Sequence, residues 1–228
     1  MNTLKNILIS QFTDNPVRTK KYKSFFVWFY AIGLAGVVLP YTNALFLKLT
    51  PLALIISVFA ILAFHRFKPV KKTIVVFFAI YFIGFFIEVA GVKTGLIFGV
   101  YNYGSTLGLK VFDTPLIIGI NWLLLVYLSA NLIEKLKLNA VLTIIAASLV
   151  MLAYDLLMEQ VAPVTGMWYW KDNTVPIMNY MAWFFVALIL HTIFRWSGIK
   201  AENKIAPVIF FSQLVFFLGI FIRFILTK

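Results

Sequence analysis

The sequence predicts an all-α integral membrane protein, a polytopic helical bundle of about seven transmembrane helices with a cytoplasmic N-terminus. Its apolar content, the spacing of its apolar runs and the distribution of its positive charges all predict this fold. Hydrophobic residues make up 62% of the chain and charged residues 12%, and the mean hydropathy is +0.96. A soluble domain has about half apolar and about a quarter charged residues, so the bilayer is the expected solvent.

Apolar runs of transmembrane length, about 20 residues, recur along the whole chain. They fall at roughly 24–43, 51–65, 73–90, 115–132, 139–158, 179–195 and 206–225. The dipeptides Thr50-Pro51 and Thr114-Pro115 have the pattern of an N-cap followed by proline, which predicts two helix starts. We expect a single transmembrane domain over residues 1–228, of which residues 1–23 form a basic cytoplasmic segment.

The positive charges are distributed unevenly between alternate loops. With the N-terminus inside, 14 of the 20 Lys and Arg residues fall on the inner side, which is the charge bias of multi-pass proteins of the inner (cytoplasmic) membrane. The net charge of +12 is therefore explained by topology, and no nucleic-acid partner is expected. We expect no cleavable signal. Cysteine is absent, which excludes disulfides and thiolate metal sites.

Several acidic and amide side chains fall at one predicted membrane depth. Glu88 lies at the outer end of the third run, and Asp155 and Glu159 share one face at the outer end of the fifth. Asn121 and Asn179 lie at a similar depth in the fourth and sixth runs. Acids inside a membrane are costly and indicate function by default. The alternative is that these acids are helix-end residues facing interfacial water. In a shared dry pocket, at least one carboxyl should stay protonated.

Glycines and aromatic residues dominate the loop that follows Glu88. The spacing of Gly91, Gly95 and Gly99 suits either close helix packing or a tight re-entrant or interfacial loop. The second interpretation is favoured because Lys93 interrupts the stripe. The pattern is not a nucleotide-binding fingerprint, because it follows a membrane helix and not a strand.

Trp168, Tyr169, Trp170 and Trp183 allow two interpretations. They form an interfacial aromatic belt, or their rings line a pocket and stabilise developing positive charge.

The two histidines have a simple interpretation. His65 and His191 lie near predicted cytoplasmic ends. We expect them to be interfacial residues, and no metal-ligand spacing joins them.

Two motif blocks give the chain a family resemblance. The first contains Glu88, Gly91, Thr94, Gly95, Phe98, Gly99, Tyr101, Tyr103, Leu107, Gly108, Pro115, Asn121 and Trp122, and the second contains Asp155, Glu159, Ala162, Trp168, Trp170, Pro176, Asn179, Tyr180 and Trp183. Over residues 88–183 the chain resembles the carotenoid biosynthesis membrane proteins that include carotenoid 1,2-hydratases and bisanhydrobacterioruberin hydratase. It departs from that pattern at Gln160, where the family has proline, and at residues 112–114.

The resemblance implies a cofactor-independent hydro-lyase, a carotenoid 1,2-hydratase that adds water to the terminal double bond of an acyclic, lycopene- or γ-carotene-like substrate. Such a reaction needs a proton donor, a positioned water and a base. We expect Asp155 or Glu159 to protonate the alkene and Glu88 to orient or deprotonate the water. The expected water- and substrate-binding residues are Asn121, Asn179, Tyr101, Tyr103, Thr94, Trp122, Trp168, Trp170 and Trp183. The reaction is redox-neutral, so neither a nicotinamide nor a flavin cofactor, nor a metal, is expected.

Two other functions stay open on the sequence. A lycopene-cyclase-type end-group isomerase would use the same protonated intermediate, and access of water to the pocket decides between the two reactions. A non-catalytic membrane carrier, or a carotenoid-binding scaffold for other pathway enzymes, also suits intramembrane acids beside glycine-broken helices. The expected partners are the carotenoid and membrane lipid.

Overall fold

The fold was analysed in a computed structural model that describes residues 15–67 and 69–226. Helices dominate these residues, and four short strands occur in two loops. In chain order the elements are α1 (Pro16–Val38), α2 (Asn43–Lys48), α3 (Thr50–Phe64), α4 (Val70–Thr94), β1 (Tyr101–Tyr103), β2 (Lys110–Val111), β3 (Thr114–Pro115), α5 (Ile117–Glu134), α6 (Ala140–Thr165), β4 (Trp168–Trp170), α7 (Ile177–Trp196) and α8 (Ala206–Ile225).

Five helices, α4 to α8, are long and apolar enough to cross a membrane. Helix α3 is apolar but has 15 residues, and α1 carries Arg18, Lys20, Lys21 and Lys23 in its first turns. The membrane character of the chain is thereby confirmed. The count of seven spans and the cytoplasmic N-terminus stay predictions. Residues 1–14 of the basic segment lie outside the described residues, and residues 16–23 begin α1.

Local sequence explains where several of these helices begin and end. The Asn15 and Asn139 side chains accept the backbone N–H of Arg18 and Leu142 and so cap α1 and α6. Helices α4 and α6 end where Gly95 and Gly166 take the left-handed conformation, at φ +66° and +68°.

One of the two Thr-Pro starts was predicted correctly. Helix α3 begins at Thr50, with Pro51 in its first turn. The start predicted at Thr114-Pro115 is wrong by two residues, because both residues pair with β2 in a small hairpin and α5 begins at Ile117.

Helix α5 is the centre of the bundle. It packs against α3, α4, α6, α7 and α8, and its span is 78% buried, against 22–44% for the other candidate spans. Close packing depends on small residues on its neighbours: a Cβ on Gly84 of α4 would lie 2.6 Å from the Trp122 side chain. Trp122, Leu124 and Leu128 are accordingly among the most buried side chains.

The two histidines, which we expected to be interfacial residues, are buried inside the bundle. His65 is 1% exposed and its Nδ1 lies 2.8 Å from the Tyr127 hydroxyl. His191 is 3% exposed and its Nε2 lies 3.1 Å from the Ser129 hydroxyl. Both partners come from α5, and each hydroxyl pairs with one nitrogen of the buried imidazole. The other nitrogen of His65, Nε2, has no hydrogen-bond partner among the described residues.

An antiparallel ladder joins the two long loops of the chain. Tyr101 pairs with Trp170 and Tyr103 with Trp168, and the ladder continues where the Gly104 N–H donates to the Met167 carbonyl oxygen at 2.8 Å. The pairing places the loop after α4 and the loop after α6 at the same end of the bundle, as the sequence predicted. The strands themselves were not predicted.

Replacing Gly104 by alanine should destabilise the protein by about 1–3 kcal/mol. A Cβ there would collide with the Gly166 carbonyl oxygen, so the two loops would have to separate. The free energy of unfolding in detergent micelles measures the effect. Gly33→Ala is the matched control, because its Cβ would meet Phe216 at an ordinary 3.6 Å. Equal stability of the two variants would contradict the prediction.

Candidate functional site

The three predicted acids lie inside the protein. Glu88 is 4% exposed, Glu159 3% and Asp155 0%. The alternative, that they are helix ends facing interfacial water, is therefore wrong for this structure. Glu88 comes from the last third of α4, and Asp155 and Glu159 come from adjacent turns of α6. They lie close enough to interact electrostatically.

Glu88 is surrounded by hydrogen-bond donors. Its Oε2 accepts the hydroxyls of Tyr101 at 2.5 Å and Tyr103 at 2.8 Å. Its Oε1 accepts the indole N–H of Trp122 at 3.0 Å. All three partners are donors and none is a cation, which is the arrangement of a carboxylate held by neutral dipoles.

Glu159 is held in the same way by a different set of side chains. Its Oε2 accepts the indole N–H groups of Trp168 at 3.0 Å and Trp170 at 2.7 Å. The Asn179 amide donates to Oε1 of Glu159 at 3.0 Å and to Oδ2 of Asp155 at 3.3 Å. One amide thus bridges two carboxyl groups that are four residues apart on one helix.

Asp155 has an unsatisfied atom. Its Oδ1 is buried and has no hydrogen-bond partner among the described residues. Buried polar atoms are nearly always paired, so such an atom needs an explanation. A protonated carboxyl needs fewer donors than a carboxylate does, and this is the chemistry that the position favours.

The β1–β4 ladder supplies four of these donors. Side chains alternate between the two faces of a strand, so Tyr101 and Tyr103 face the interior together, as do Trp168 and Trp170. The residues between them, Asn102 and Tyr169, are exposed. Strand β1 therefore holds Glu88 with its two phenols, and strand β4 holds Glu159 with its two indoles.

The phenols of β1 remain donors over a wide pH range. Burial raises the pKa of Tyr101 and of Tyr103 well above the usual value, and the nearby charge of Glu88 raises both further. Both hydroxyls therefore keep their protons near neutral pH and can donate to Glu88.

These side chains enclose a small chamber at the loop end of the bundle. It is lined by Glu88, Phe98, Tyr101, Tyr103, Ile118, Asn121, Trp122, Glu159, Trp168, Trp170, Asn179 and Trp183. The volume that the centre of a water molecule can occupy in the chamber is about 20 Å³. This is enough for about one water. Asn121 has no side-chain hydrogen bond to another described residue, so its amide is available to a molecule in the chamber.

Ten of the twelve site residues predicted from the sequence line this chamber. Asp155 does not line the chamber but lies behind it, joined to it through Asn179. Thr94 lies outside, where its exposed hydroxyl bonds to the Ala90 carbonyl oxygen at the end of α4. Phe98 and Ile118 line the chamber without having been predicted. Ile118 lies one turn before Asn121, and that helical spacing could have identified it.

No metal site accompanies the acids. Within the described ranges, no group of three or more His, Asp or Glu side chains is arranged to hold a metal ion. The carboxyl oxygens are directed at indole, phenol and amide donors instead.

The fold and the chamber define a class of protein: a multi-helix membrane protein with a buried carboxyl cluster enclosed by aromatic donors. The chain belongs to the carotenoid biosynthesis protein family, whose sequence pattern matches residues 22–227. The match extends well beyond the two motif blocks on both sides. It confirms the family resemblance and implies a carotenoid-related substrate. No curated protein and no solved structure matches the chain.

Replacing Trp168 or Trp170 by phenylalanine should cost about 1–3 kcal/mol in the free energy of unfolding, because each change removes one donor from a buried carboxyl oxygen. Tyr169→Phe is the matched control: it lies between them on β4 and is 47% exposed, so it should change stability little. Thermal unfolding in micelles measures all three variants. A Tyr169 variant as unstable as the others would show that the strand matters and the indole donors do not.

Stability should fall as the pH rises above about 10, the ordinary pKa of a phenol. The raised pKa values of Tyr101 and Tyr103 mean that the folded state keeps protons that the unfolded chain has lost, so the loss begins there and continues towards the folded pKa values. The variant Tyr101→Phe/Tyr103→Phe should show a flatter dependence of unfolding free energy on pH. Identical slopes for the two proteins would contradict this prediction.

Proposed function

We propose that the protein is a cofactor-independent carotenoid hydratase that adds water across the terminal double bond of an acyclic carotenoid end group. One observation carries the proposal: the carboxyl groups of Glu88 and Glu159 and the amides of Asn121 and Asn179 line a space of about the size of one water molecule, and Asn179 links it to the carboxyl group of Asp155. Membership of the carotenoid biosynthesis family supports the substrate class.

The proton donor is the pair formed by Asp155 and Glu159. They are one turn apart and bridged by the Asn179 amide, and no cation lines the chamber. Two carboxyl groups in such a site cannot both be ionised without large repulsion, so they share a proton. Glu159 faces the chamber and delivers that proton to the less substituted alkene carbon, which leaves a tertiary carbocation.

Glu88 is the base that completes the addition. Glu88 and Glu159 each accept three donors, but only Glu159 shares one of them, Asn179, with a second carboxyl group. The shared proton is therefore assigned to the Asp155–Glu159 pair, and Glu88 stays a carboxylate that can accept a proton from water. A water held between Glu88 and the free amide of Asn121 attacks the cation, forming the C–O bond, and Glu88 takes the released proton. The proton consumed equals the proton released, so the reaction needs no oxidant, reductant or co-substrate other than water.

The aromatic wall stabilises the cation. Trp168, Trp170 and Tyr101 present rings to the chamber, with Tyr101 and Trp170 at a centroid separation of 5.0 Å. The attraction between a ring face and a positive charge is worth about 2 kcal/mol when both are removed from water. These side chains therefore hold the carboxyls and also flank the reacting carbon.

The location of the chamber suits a long apolar substrate. It lies at one end of the helical bundle, where the two loops meet, so a carotenoid lying between helices would bring one end group to it. The chamber has room for about one water but not for a branched hydrocarbon end. Entry of the substrate requires movement of the apolar wall, where Phe98 and Ile118 are the lining residues without a polar function.

The test is to express the chain in a bacterium that accumulates lycopene or γ-carotene and to analyse its pigments by chromatography and mass spectrometry. The expected product is more polar and heavier by one water, and incubation in deuterated water of membranes that already contain the carotenoid made in ordinary water should place one non-exchangeable deuterium on the protonated carbon. A new pigment of unchanged mass would show cyclisation, and unchanged pigment with good expression would favour a carrier or scaffold.

Asp155→Asn should lower product formation by about 10²–10⁴-fold, the usual contribution of a general acid. The change is isosteric, and Oδ1 has no described partner to lose, so the protein should fold normally. Asp113→Asn is the matched control, because Asp113 is an exposed acid at the same end, paired with Lys93, and should keep full activity. Full activity of the Asp155 variant would remove this residue from the proton-donating pair.

A further inference from the structure

A second polar cavity lies at the end of the bundle opposite to the acid chamber. Helix α5 runs from Ile117, at the chamber end, to Glu134, and the cavity is formed around that last turn, the first turns of α1, the end of α3 and residues 201–204. Its volume is about 410 Å³, enough for a phosphate group with several attached carbon atoms.

The cavity has an excess of positive charge. Four cationic side chains line it, from Lys23, Arg66, Lys135 and Lys204, together with two acids. Each acid interacts with a cation outside the lining: Glu134 with Arg195 at 3.4 Å, and Glu202 with Lys200 at 3.7 Å. The positive charges of Lys23 and Lys135 therefore attract an anion to the cavity.

Buried amides form part of the cavity lining. Asn131 and Asn203 are 3% and 6% exposed. The Asn131 Nδ2 donates to the carbonyl oxygens of Ala201 and Asn203, which fixes the side chain. Its Oδ1 is buried and without a hydrogen-bond partner in the described part of the chain. Basic residues that served only as topology signals would need neither a cavity nor a spare acceptor.

An apolar groove lies along α1, the helix that supplies Lys23 to the cavity. The hydrogen bond between Tyr30 and Ser57, at 2.7 Å, and the ring contact of Tyr22 with Phe64 fix α1 antiparallel to α3, so that Lys23 lies level with the end of α3. The groove lies between these helices and extends along α1 from Phe25 to Val37, with a volume of about 310 Å³. That length is about 18 Å, slightly more than half the thickness of a hydrocarbon core.

We propose that this end of the protein binds one anionic glycerophospholipid. The phosphate lies among the cations of the cavity, a headgroup hydroxyl donates to Oδ1 of Asn131, and one acyl chain follows the α1–α3 groove. The site is separate from the acid chamber and does not depend on the reaction proposed there. Charge, a spare acceptor and an apolar groove along the same helix together fit a phospholipid with a hydroxylated headgroup, such as phosphatidylglycerol.

The test is native mass spectrometry of the full chain in detergent, titrated separately with phosphatidylglycerol, phosphatidylcholine and inorganic phosphate. One phosphatidylglycerol should bind per chain, with an affinity clearly above that of phosphatidylcholine. The variant Lys23→Gln/Lys135→Gln should weaken phosphatidylglycerol binding at least about tenfold, because each cation near an anionic lipid contributes about 1 kcal/mol. Lys23→Arg/Lys135→Arg should restore it.

The matched control is Lys71→Gln/Lys72→Gln, which removes the same charge from exposed positions at the start of α4, outside the cavity lining. An equal loss in both double variants would show diffuse charge attraction and overturn the proposal. Equal affinity for the two lipids would also overturn it. Displacement of phosphatidylglycerol by inorganic phosphate alone would show that the ligand is a free anion. If Lys23→Gln/Lys135→Gln does not fold, Lys135→Gln alone should still bind phosphatidylglycerol more weakly than the unmodified chain; unchanged binding would overturn the proposal.

Discussion

Burial of carboxyl groups inside a membrane protein is the constraint on which the loop end of this structure depends. An ionised carboxylate loses several kcal/mol of hydration when it leaves water, and here no lysine or arginine lines the chamber to compensate it. Neutral donors take that role. Six side-chain N–H and O–H bonds reach Glu88 and Glu159, and four of them come from one two-stranded ladder.

The ladder explains why aromatic residues alternate in both loops. A donor that approaches a buried acid in an apolar bundle must present a large hydrocarbon surface and one polar atom, and tyrosine and tryptophan do so. Because strand side chains alternate, two donors from each strand reach the interior while Asn102 and Tyr169 stay exposed. The close approach of Gly104 to Gly166 lets the loops pair at the depth where the acids lie.

The same bundle separates two kinds of polar chemistry. At one end, acids surrounded by neutral donors enclose a space for water; at the other, cations and buried amides form an open cavity. Helix α5 connects the two ends, with Asn121 and Trp122 at the chamber and Asn131 and Glu134 at the basic cavity. Between them its side chains are mostly apolar and buried, and its polar pair there, Tyr127 and Ser129, bonds to the two buried histidines.

The sequence by itself determined the membrane class, most helix positions, the family resemblance and ten of the residues that line the chamber. These follow from composition, from apolar periodicity and from motifs, which are local properties of the chain. The Glu88 and Glu159 positions could be predicted because acids are rare within apolar runs, and their common depth follows from counting turns.

Only the tertiary structure decided how those residues interact. Tyr101 and Trp170 are 69 positions apart, and no local pattern shows that their strands pair or that the tyrosines hold one acid and the tryptophans the other. The aromatic belt and the pocket wall have the same sequence signature, and only packing distinguishes them. His65 and His191 were misplaced for the same reason, because the hydroxyls that stabilise them belong to a different helix. Pairing between distant strands depends on how the helices that carry them pack together. The order of helices and loops along the sequence does not specify that packing.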